Sequence, residues 1–122
     1  MTAKPITPWP EEIRLSKNKD SLFVKFDNGY ETTLSAELLR VESPSAEVQG
    51  HGVGQKTTPV GKAGVTISGI EPVGNYAIRI SFSDGHDTGL FSWNILFDYG
   101  HCQQQLLADY LERLAAAGGS RH

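Results

Sequence analysis

Apolar and polar residues alternate most clearly in the second half of the chain, where the apolar positions are Ile78, Ile80 and Phe82. A period of two predicts a β-strand with one face turned to the core. Asp84-Gly85 follows, and this pair favours a hairpin with a type I′ turn because glycine accepts a positive φ. The segment from His86 to Leu90 is then the predicted returning strand. Ser92 is expected to cap a short helix over residues 93–97, which Gly100 ends.

The same pattern occurs earlier in the chain. A shift of 56 residues places Phe26 on Phe82 and the Asn28-Gly29 pair on Asp84-Gly85. The further matches are Glu31 with Asp87, Thr32 with Thr88 and Leu34 with Leu90. We therefore predict two copies of one unit, which runs strand, strand, hairpin, strand, short helix. Units this small cannot each bury a core, so the two should share one.

The remaining segments complete the predicted fold. Residues 1–10 contain three prolines and are expected to form an extended arm. Residues 49–64 contain five glycines and are expected to form a loop. Residues 102–117 carry leucines and a tyrosine at helical spacing, which predicts a C-terminal amphipathic helix. The predicted class is α+β, with a mostly antiparallel sheet of about six strands and residues 11–117 as a single domain.

Composition narrows the classes of function. The chain has 122 residues, a net charge of −3 and no run of Lys and Arg, which argues against a nucleic-acid or anionic-membrane surface. No apolar run approaches the roughly 20 residues of a membrane span, and the N-terminus lacks a signal-peptide pattern. The single cysteine excludes an internal disulfide and fits a reducing compartment. The expected location is the cytoplasm.

The glycine-rich loop is the first candidate site, with Gly50, Gly52, Gly54 and Gln55 as its expected interaction residues. Glycines allow successive backbone N–H groups to point at one ligand. His51 lies among them and is a candidate metal ligand or proton carrier. The alternative is a flexible loop with a solvated histidine.

Two further groups contain residues that can bind metals. Asp84 and Asp87 flank His86 at the second hairpin, and carboxylates can orient a metal-binding histidine; the alternative gives Asp84 to the turn and leaves the others at the rim of a strand. His101 and Cys102 are a candidate contribution to a zinc or iron–sulfur site. One cysteine cannot hold a cluster, whereas a homodimer would supply two. The alternative is that these two residues start a helix packed on the core.

The segments GHGVGQ at 50–55 and IEPVGNYAIRISFSDGHDTGLFSWNILFDYG at 70–100 resemble the small bacterial proteins of the DUF971 family. That family is also described as the gamma-butyrobetaine hydroxylase-like N-terminal domain, and the resemblance covers roughly residues 10–100. Such domains stand alone in bacteria. They also precede the catalytic domain of gamma-butyrobetaine and trimethyllysine dioxygenases, and follow the ATPase domain of some Mrp-like iron–sulfur carriers.

The resemblance also implies what this chain lacks. In the hydroxylases the domain binds a structural zinc through three cysteines and a histidine. The Leu-Arg element that precedes those cysteines is matched here by Leu39-Arg40, and the cysteine positions fall near Ser43, Ser45 and Val48. Only His86 matches the ligand set. A hydroxylase-type zinc site is therefore not expected, and the dioxygenase iron site belongs to the other domain.

These observations lead to one hypothesis and two alternatives. We expect a small non-catalytic binding or adaptor module, with His51 and His86 as candidate ligands for iron or zinc and a link to iron or iron–sulfur protein maturation. Its expected partner is a protein, either an iron–sulfur carrier or an oxidoreductase. The first alternative is an accessory domain of an oxidoreductase that docks or dimerises in trans. The second is a small enzyme with His51 and Asp87 as acid and base, although no complete active-site constellation stands out in the sequence.

Overall fold

The computed structural model describes residues 8–50 and 57–122, and their strands form two three-stranded antiparallel sheets. The first sheet contains, in spatial order, β1 (Pro10–Leu15), β2 (Ser21–Phe26) and β3 (Glu31–Ser35). The second contains β4 (Ile67–Val73), β5 (Ala77–Phe82) and β6 (Leu90–Ser92). The helices are α1 (Ala36–Val41), α2 (Ala46–Gln49) and α3 (Trp93–Ala116). The predicted α+β class is confirmed, but the six strands divide between two sheets.

One hydrophobic cluster joins the two sheets. The buried face of β2 consists of Leu22, Val24 and Phe26, and that of β5 of Ile78, Ile80 and Phe82. These are the alternating positions that predicted the strands, and none is more than 3% exposed. Full burial of such a side chain stabilises the fold by roughly 1.5–3 kcal/mol. Because residues of both sheets belong to the same cluster, the predicted shared core is confirmed.

The two hairpins have the same backbone geometry. Gly29 and Gly85 each have a φ of +91°, and each donates a 3.0 Å hydrogen bond to the carbonyl oxygen three residues earlier. Among the described residues other than glycine, only Lys19 has a positive φ, so Asn28 and Asp84 do not. A type I′ turn needs positive φ at both central residues, and the prediction of that turn type was therefore wrong. Each loop has three residues and ends on a left-handed glycine, which is the next most common hairpin geometry.

The returning strand of the second hairpin is shorter than predicted. β6 begins only at Leu90, and residues 86–89 lie outside the sheet. A methyl group built on Gly89 would lie 2.3 Å from the Ser43 hydroxyl oxygen. The backbone at Gly89 therefore lies close to the segment after α1. In this position it does not pair with β5.

The C-terminal helix is longer than predicted, and one continuous α3 replaces the two helices expected over 93–97 and 102–117. The Ser92 hydroxyl caps it by accepting from the backbone N–H of Ile95, as predicted. Gly100 lies inside the helix instead of ending it. A Cβ there would lie 2.8 Å from Thr32 Cγ2 and 2.9 Å from the Tyr30 hydroxyl. Glycine at this position therefore allows α3 to approach the first hairpin closely. This packing outweighs the loss of helix propensity, which is about 1 kcal/mol relative to alanine.

The last part of the glycine-rich loop, residues 57–64, is held by the end of the chain. Gly61 and Ala63 donate backbone hydrogen bonds to Ser120 and Arg121, at 2.8 and 2.9 Å. Arg121 also donates two hydrogen bonds to the carboxylate of Glu37 in α1. These contacts fix residues 61–63 next to α1. Over the described ranges 8–50 and 57–122, no helix has both the length and the apolar character needed to cross a membrane.

Candidate functional site

The second hairpin places His86 at the junction of the two units. The His86 carbonyl oxygen accepts from the Phe82 N–H at 2.9 Å, and the His86 N–H donates to Asp84 Oδ1 at 3.1 Å. This pair of bonds fixes the backbone of the residue after the turn. Its ring then points away from the solvent, and the residue is only 8% exposed.

Both ring nitrogens of His86 have a partner. Nε2 lies 2.9 Å from the Ser43 hydroxyl oxygen, and Nδ1 lies 3.1 Å from Glu47 Oε1. The donor in the Nε2–Ser43 hydrogen bond depends on the tautomer of the ring, and the Glu47 carboxylate is an ion-pair partner of the ring when His86 is protonated. Burial lowers the pKa of His86, and the nearby charge of Arg40 lowers it further against the opposing effect of the carboxylates. The neutral form is therefore favoured near neutral pH.

Asp84 joins two positively charged side chains from different segments. Its Oδ2 accepts from Arg40 Nε at 2.7 Å and from Lys62 Nζ at 2.6 Å. Burial alone would raise the pKa of Asp84, but the hydrogen bonds from Lys62, the His86 N–H and Arg40 hold that pKa well below its usual range. Asp84 is therefore ionised at all moderate pH values. Its two ion pairs connect α1 to the last part of the glycine-rich loop.

A chain of hydroxyl contacts extends this arrangement to α2. The Thr88 hydroxyl donates to Glu47 Oε1 at 2.6 Å and lies 2.6 Å from the Ser45 hydroxyl. The Ser45 hydroxyl in turn caps α2 by accepting from the Glu47 N–H. Residues 43–47 of the first unit are thus bonded to residues 84–88 of the second.

A cavity of about 410 Å³ opens beside these residues, and we call it the Arg40 pocket. Its lining comprises Arg40, Glu47, Thr57, Thr58, Lys62 and His86, with Val48, Pro59 and Val60 as its apolar part. Arg40 Nη1 is buried and has no hydrogen-bond partner among the described residues. A buried N–H without a partner costs roughly 1–3 kcal/mol. The other such atom among the described side chains is Nε of Arg113 in α3.

A groove of about 370 Å³ lies elsewhere, along α3 beside Asp109, Glu112, Arg113 and Ala116. Arg113 donates to Glu42 there at 2.8 Å. Among the described residues, the groove shares no lining residue with the Arg40 pocket, and neither His86 nor Asp84 contributes to it.

The predicted site residues do not all meet in one place. His86 and Asp84 belong to the junction just described, and Asp87 is exposed beside them. Gly50 ends α2 with a φ of +74°. The other loop predictions, namely His51, Gly52, Gly54 and Gln55, lie outside the described residues.

His101 and Cys102 lie inside α3, not at a helix start as predicted. The His101 ring stacks on Tyr30 with centroids 4.1 Å apart and also contacts Phe97 at 4.5 Å. Cys102 is exposed. In the described part of the chain, neither residue forms a hydrogen bond with His86, Ser43 or Glu47. Within residues 8–50 and 57–122, no three side chains of His, Cys, Asp or Glu are grouped closely enough to bind a metal ion.

Sequence reasoning missed Arg40, Glu47 and Lys62 as site residues. Each belongs to a different segment, and they meet only because the units fold against each other. One signal was available: Asp84 differs from its counterpart Asn28 by a charge. The Asp84 side chain is 21% exposed, and a carboxylate packed this closely against the protein is stabilised by a basic partner such as Arg40 or Lys62.

Known proteins share the sequence pattern and the fold of this chain. The sequence model described as "Gamma-butyrobetaine hydroxylase-like, N-terminal" matches residues 13–97. The chain belongs to this family. The match includes the second hairpin and both segments that contact it, so the junction described above lies inside the family domain. No protein with a curated description matches the chain.

Three solved structures of similar proteins share the fold. Two solution structures determined by NMR are 46% and 49% identical, with TM-scores of 0.81 and 0.82. They cover 94% and 99% of this chain, which in turn covers 90% of each of them. A crystal structure of a DUF971 family protein of unknown function from Acidithiobacillus ferrooxidans is 38% identical, with a TM-score of 0.58. That match covers 71% of this chain and 86% of the other.

The residues at the junction do not fit the zinc site that the family resemblance implies. Ser43, which stands near one expected cysteine position, forms a hydrogen bond with His86 directly. Ser45 contacts Thr88, and Val48 is an aliphatic side chain that is 2% exposed. No thiolate is present at any of the three positions. The three positions that the resemblance aligns with cysteines therefore hold two hydroxyl side chains and one aliphatic side chain, which do not provide the thiolates of a hydroxylase-type zinc site.

Proposed function

We propose that this protein is a small non-catalytic binding module whose binding face surrounds the Arg40 pocket. The observation that carries the proposal is the buried Nη1 of Arg40, which has no partner among the described residues and belongs to a side chain lining the cavity. A donor left unsatisfied in this way favours a role in recognition, because a bound acceptor would remove its cost.

The state of His86 supports binding over catalysis. A general base needs an accessible lone pair within hydrogen-bond reach of the substrate. Nε2 of His86 is engaged in a hydrogen bond with Ser43, and Nδ1 lies 3.1 Å from Glu47 Oε1. The imidazole therefore contributes to the junction, and the charged groups at the pocket entrance remain for recognition.

The family supports a more specific alternative. Its description names the N-terminal part of hydroxylase-like proteins, which favours an accessory domain that docks on an oxidoreductase in trans. A metal-binding version with iron or zinc, and a link to iron–sulfur protein maturation, remain predictions from the resemblance. A metal ion bound by His86 would require the coordinating ring nitrogen to lose its contact with Ser43 or Glu47.

Quantitative co-purification tests the binding face. We would compare the partners that co-purify with the wild-type protein, Lys62→Ala and the control Arg79→Ala, which removes an exposed arginine of β5 paired with Glu71. We expect a stoichiometric partner or ligand that is lost in Lys62→Ala and retained in Arg79→Ala. Binding that is equal in all three proteins would contradict the assigned face.

Elemental mass spectrometry of protein purified without a histidine tag tests the metal version. Stoichiometric iron or zinc that is lost in His86→Ala would make the module a metalloprotein. Equal and negligible metal in wild type and variant would leave docking without metal. Circular dichroism of each variant must first show wild-type secondary structure.

A further inference from the structure

We propose that the Arg40 pocket binds the carboxylate group of a small organic acid, an inference that rests on the binding role argued above. The pocket is about 410 Å³ in volume. Ligand cavities for small molecules start at roughly 300 Å³, so a metabolite-sized acid fits and a folded chain does not.

The donors of the pocket suit a carboxylate oxygen. Arg40 uses its Nε for Asp84, while its Nη1 has no described partner. Lys62 Nζ carries three N–H donors, and Asp84 accepts from one of them. The hydroxyls of Thr57 and Thr58 lie in the same lining and can also donate. These groups come from the end of α1 and from the last part of the glycine-rich loop. A bound ligand would therefore contact both segments.

The charge balance selects a single negative charge. Arg40 and Lys62 together carry two positive charges, and Asp84 neutralises one of them. Glu47 adds a negative charge, but its side chain is 63% exposed, its Oε1 accepts from the Thr88 hydroxyl, and its charge is screened by solvent. A carboxylate of one charge balances what remains in the interior. With the largely solvated Glu47 left out of this balance, one positive charge remains, and a phosphate of nearly two charges exceeds it.

The arrangement of Asp84 also explains why both cations stay in place before a ligand binds. One carboxylate oxygen holds Arg40 and Lys62 at 2.7 and 2.6 Å. The two side chains are only 13% and 21% exposed, so little of their rotamer freedom remains to be lost on binding. The pocket is therefore preorganised for an anion by a residue of the protein itself.

Two-dimensional NMR of the full chain, titrated at constant ionic strength, provides the test. The probes are acetate, butyrate and inorganic phosphate. We expect saturable shifts with both carboxylates at the backbone signals of Thr57, Thr58 and Lys62, and weaker shifts with phosphate. Butyrate should bind more tightly than acetate because Val48, Pro59 and Val60 offer apolar contact.

Matched variants make the assignment specific. Lys62→Met should weaken butyrate binding about tenfold, the effect of losing one charged contact of about 1.4 kcal/mol. Lys17→Met, which removes an exposed lysine in the turn before β2, should leave it unchanged. Arg40→Lys keeps the charge but removes Nη1, and it should weaken binding similarly if the fold is retained.

Two results would overturn the proposal. The first is the absence of saturable carboxylate shifts at the pocket, or shifts that Lys62→Met leaves unchanged. The second is phosphate binding more tightly than acetate, which would replace the carboxylate with a more highly charged anion. If the carboxylates fail while the co-purifying partner still depends on Lys62, the binding face stands and only the ligand class is wrong.

Discussion

The two Asx-Gly hairpins have nearly identical backbones and different surroundings. In the first, Phe26 donates to the Tyr30 carbonyl at 2.8 Å, and in the second Phe82 donates to the His86 carbonyl at 2.9 Å. The side chain of the Asx residue accepts from the N–H two residues later in both, at 3.0 and 3.1 Å. The residue after each glycine then differs. Tyr30 stacks on His101 of α3, whereas His86 binds Ser43 and Glu47.

This difference explains the origin of the proposed binding face. The local sequence sets the turn in both copies, because only the glycine needs a left-handed φ. What each hairpin contacts depends on the element packed against it. The first faces the middle of an amphipathic helix and is used for packing, while the second faces the polar segment after α1 and gains ion pairs. One backbone motif thus serves packing in the first copy and forms part of the proposed binding face in the second.

Substitution of the close-contact glycines should give the largest effects and separate the two sides. Gly89→Ala places a methyl group 2.3 Å from the Ser43 hydroxyl and should destabilise the protein by about 2–3 kcal/mol through overpacking and a disturbed hydrogen bond. Gly100→Ala also meets Thr32, but it gains about 1 kcal/mol of helix propensity, so its net cost should be about 1 kcal/mol. Urea unfolding measures both.

The matched control is Gly64→Ala, because no atom lies within 4 Å of a Cβ built there. It should change the free energy of unfolding by less than about 0.5 kcal/mol. A larger loss from Gly100→Ala than from Gly89→Ala would contradict the assignment of the tighter contact to the second hairpin.

Exchange of the Asx residues should give an intermediate effect. Asp84→Asn keeps the turn acceptor but removes the charge that pairs with Arg40 and Lys62. Because those pairs are partly exposed, we expect a loss of about 1–2 kcal/mol. Asn28→Asp, at the equivalent exposed position, should stay within about 0.5 kcal/mol. Equal effects of the two substitutions in urea unfolding would show that Asp84 serves only its turn.

The pH dependence of stability should show the smallest effect. The folded pKa of His86 is lowered, chiefly by burial, so below the unfolded value of about 6.5 the unfolded chain binds more protons than the folded one. Stability is therefore fully present above that pH and decreases as the pH falls through it. His86→Gln should show a shallower decrease between about pH 7.5 and about pH 5. An unchanged slope would mean that His86 does not resist protonation.

The sequence predicted those parts of the fold that depend on neighbouring residues. The strands around Phe26 and Phe82, the repeat, the shared core and the Ser92 cap all follow from local patterns. Gly100 misled the prediction of α3 because its role is a close approach to Tyr30 and Thr32, which appears only after folding. The early departure of residues 86–89 from the sheet has the same origin in the Gly89–Ser43 contact.

The candidate site was predictable only in part. His86 and Asp84 were identified because they lie together at a turn. Their partners Arg40, Glu47 and Lys62 lie more than 20 residues away in sequence from Asp84, and no short-range pattern connects such distant charges. The carboxylate of Asp84 indicated that a basic partner was needed. Which lysine or arginine supplies it depends on how the two units pack together.

The length of α3 has a consequence for how the molecule opens. At 24 residues the helix is roughly 36 Å long. Its first turn is tied to the second unit by the hydrogen bond from the Trp93 N–H to the Tyr76 carbonyl, and Gly100 and Phe97 pack on the first unit. Neither sheet can therefore separate from the rest of the protein without losing its contacts with α3. Amide hydrogens of β2 and β5 should exchange with solvent at the same free energy of opening, so the duplicated units behave as one cooperative body.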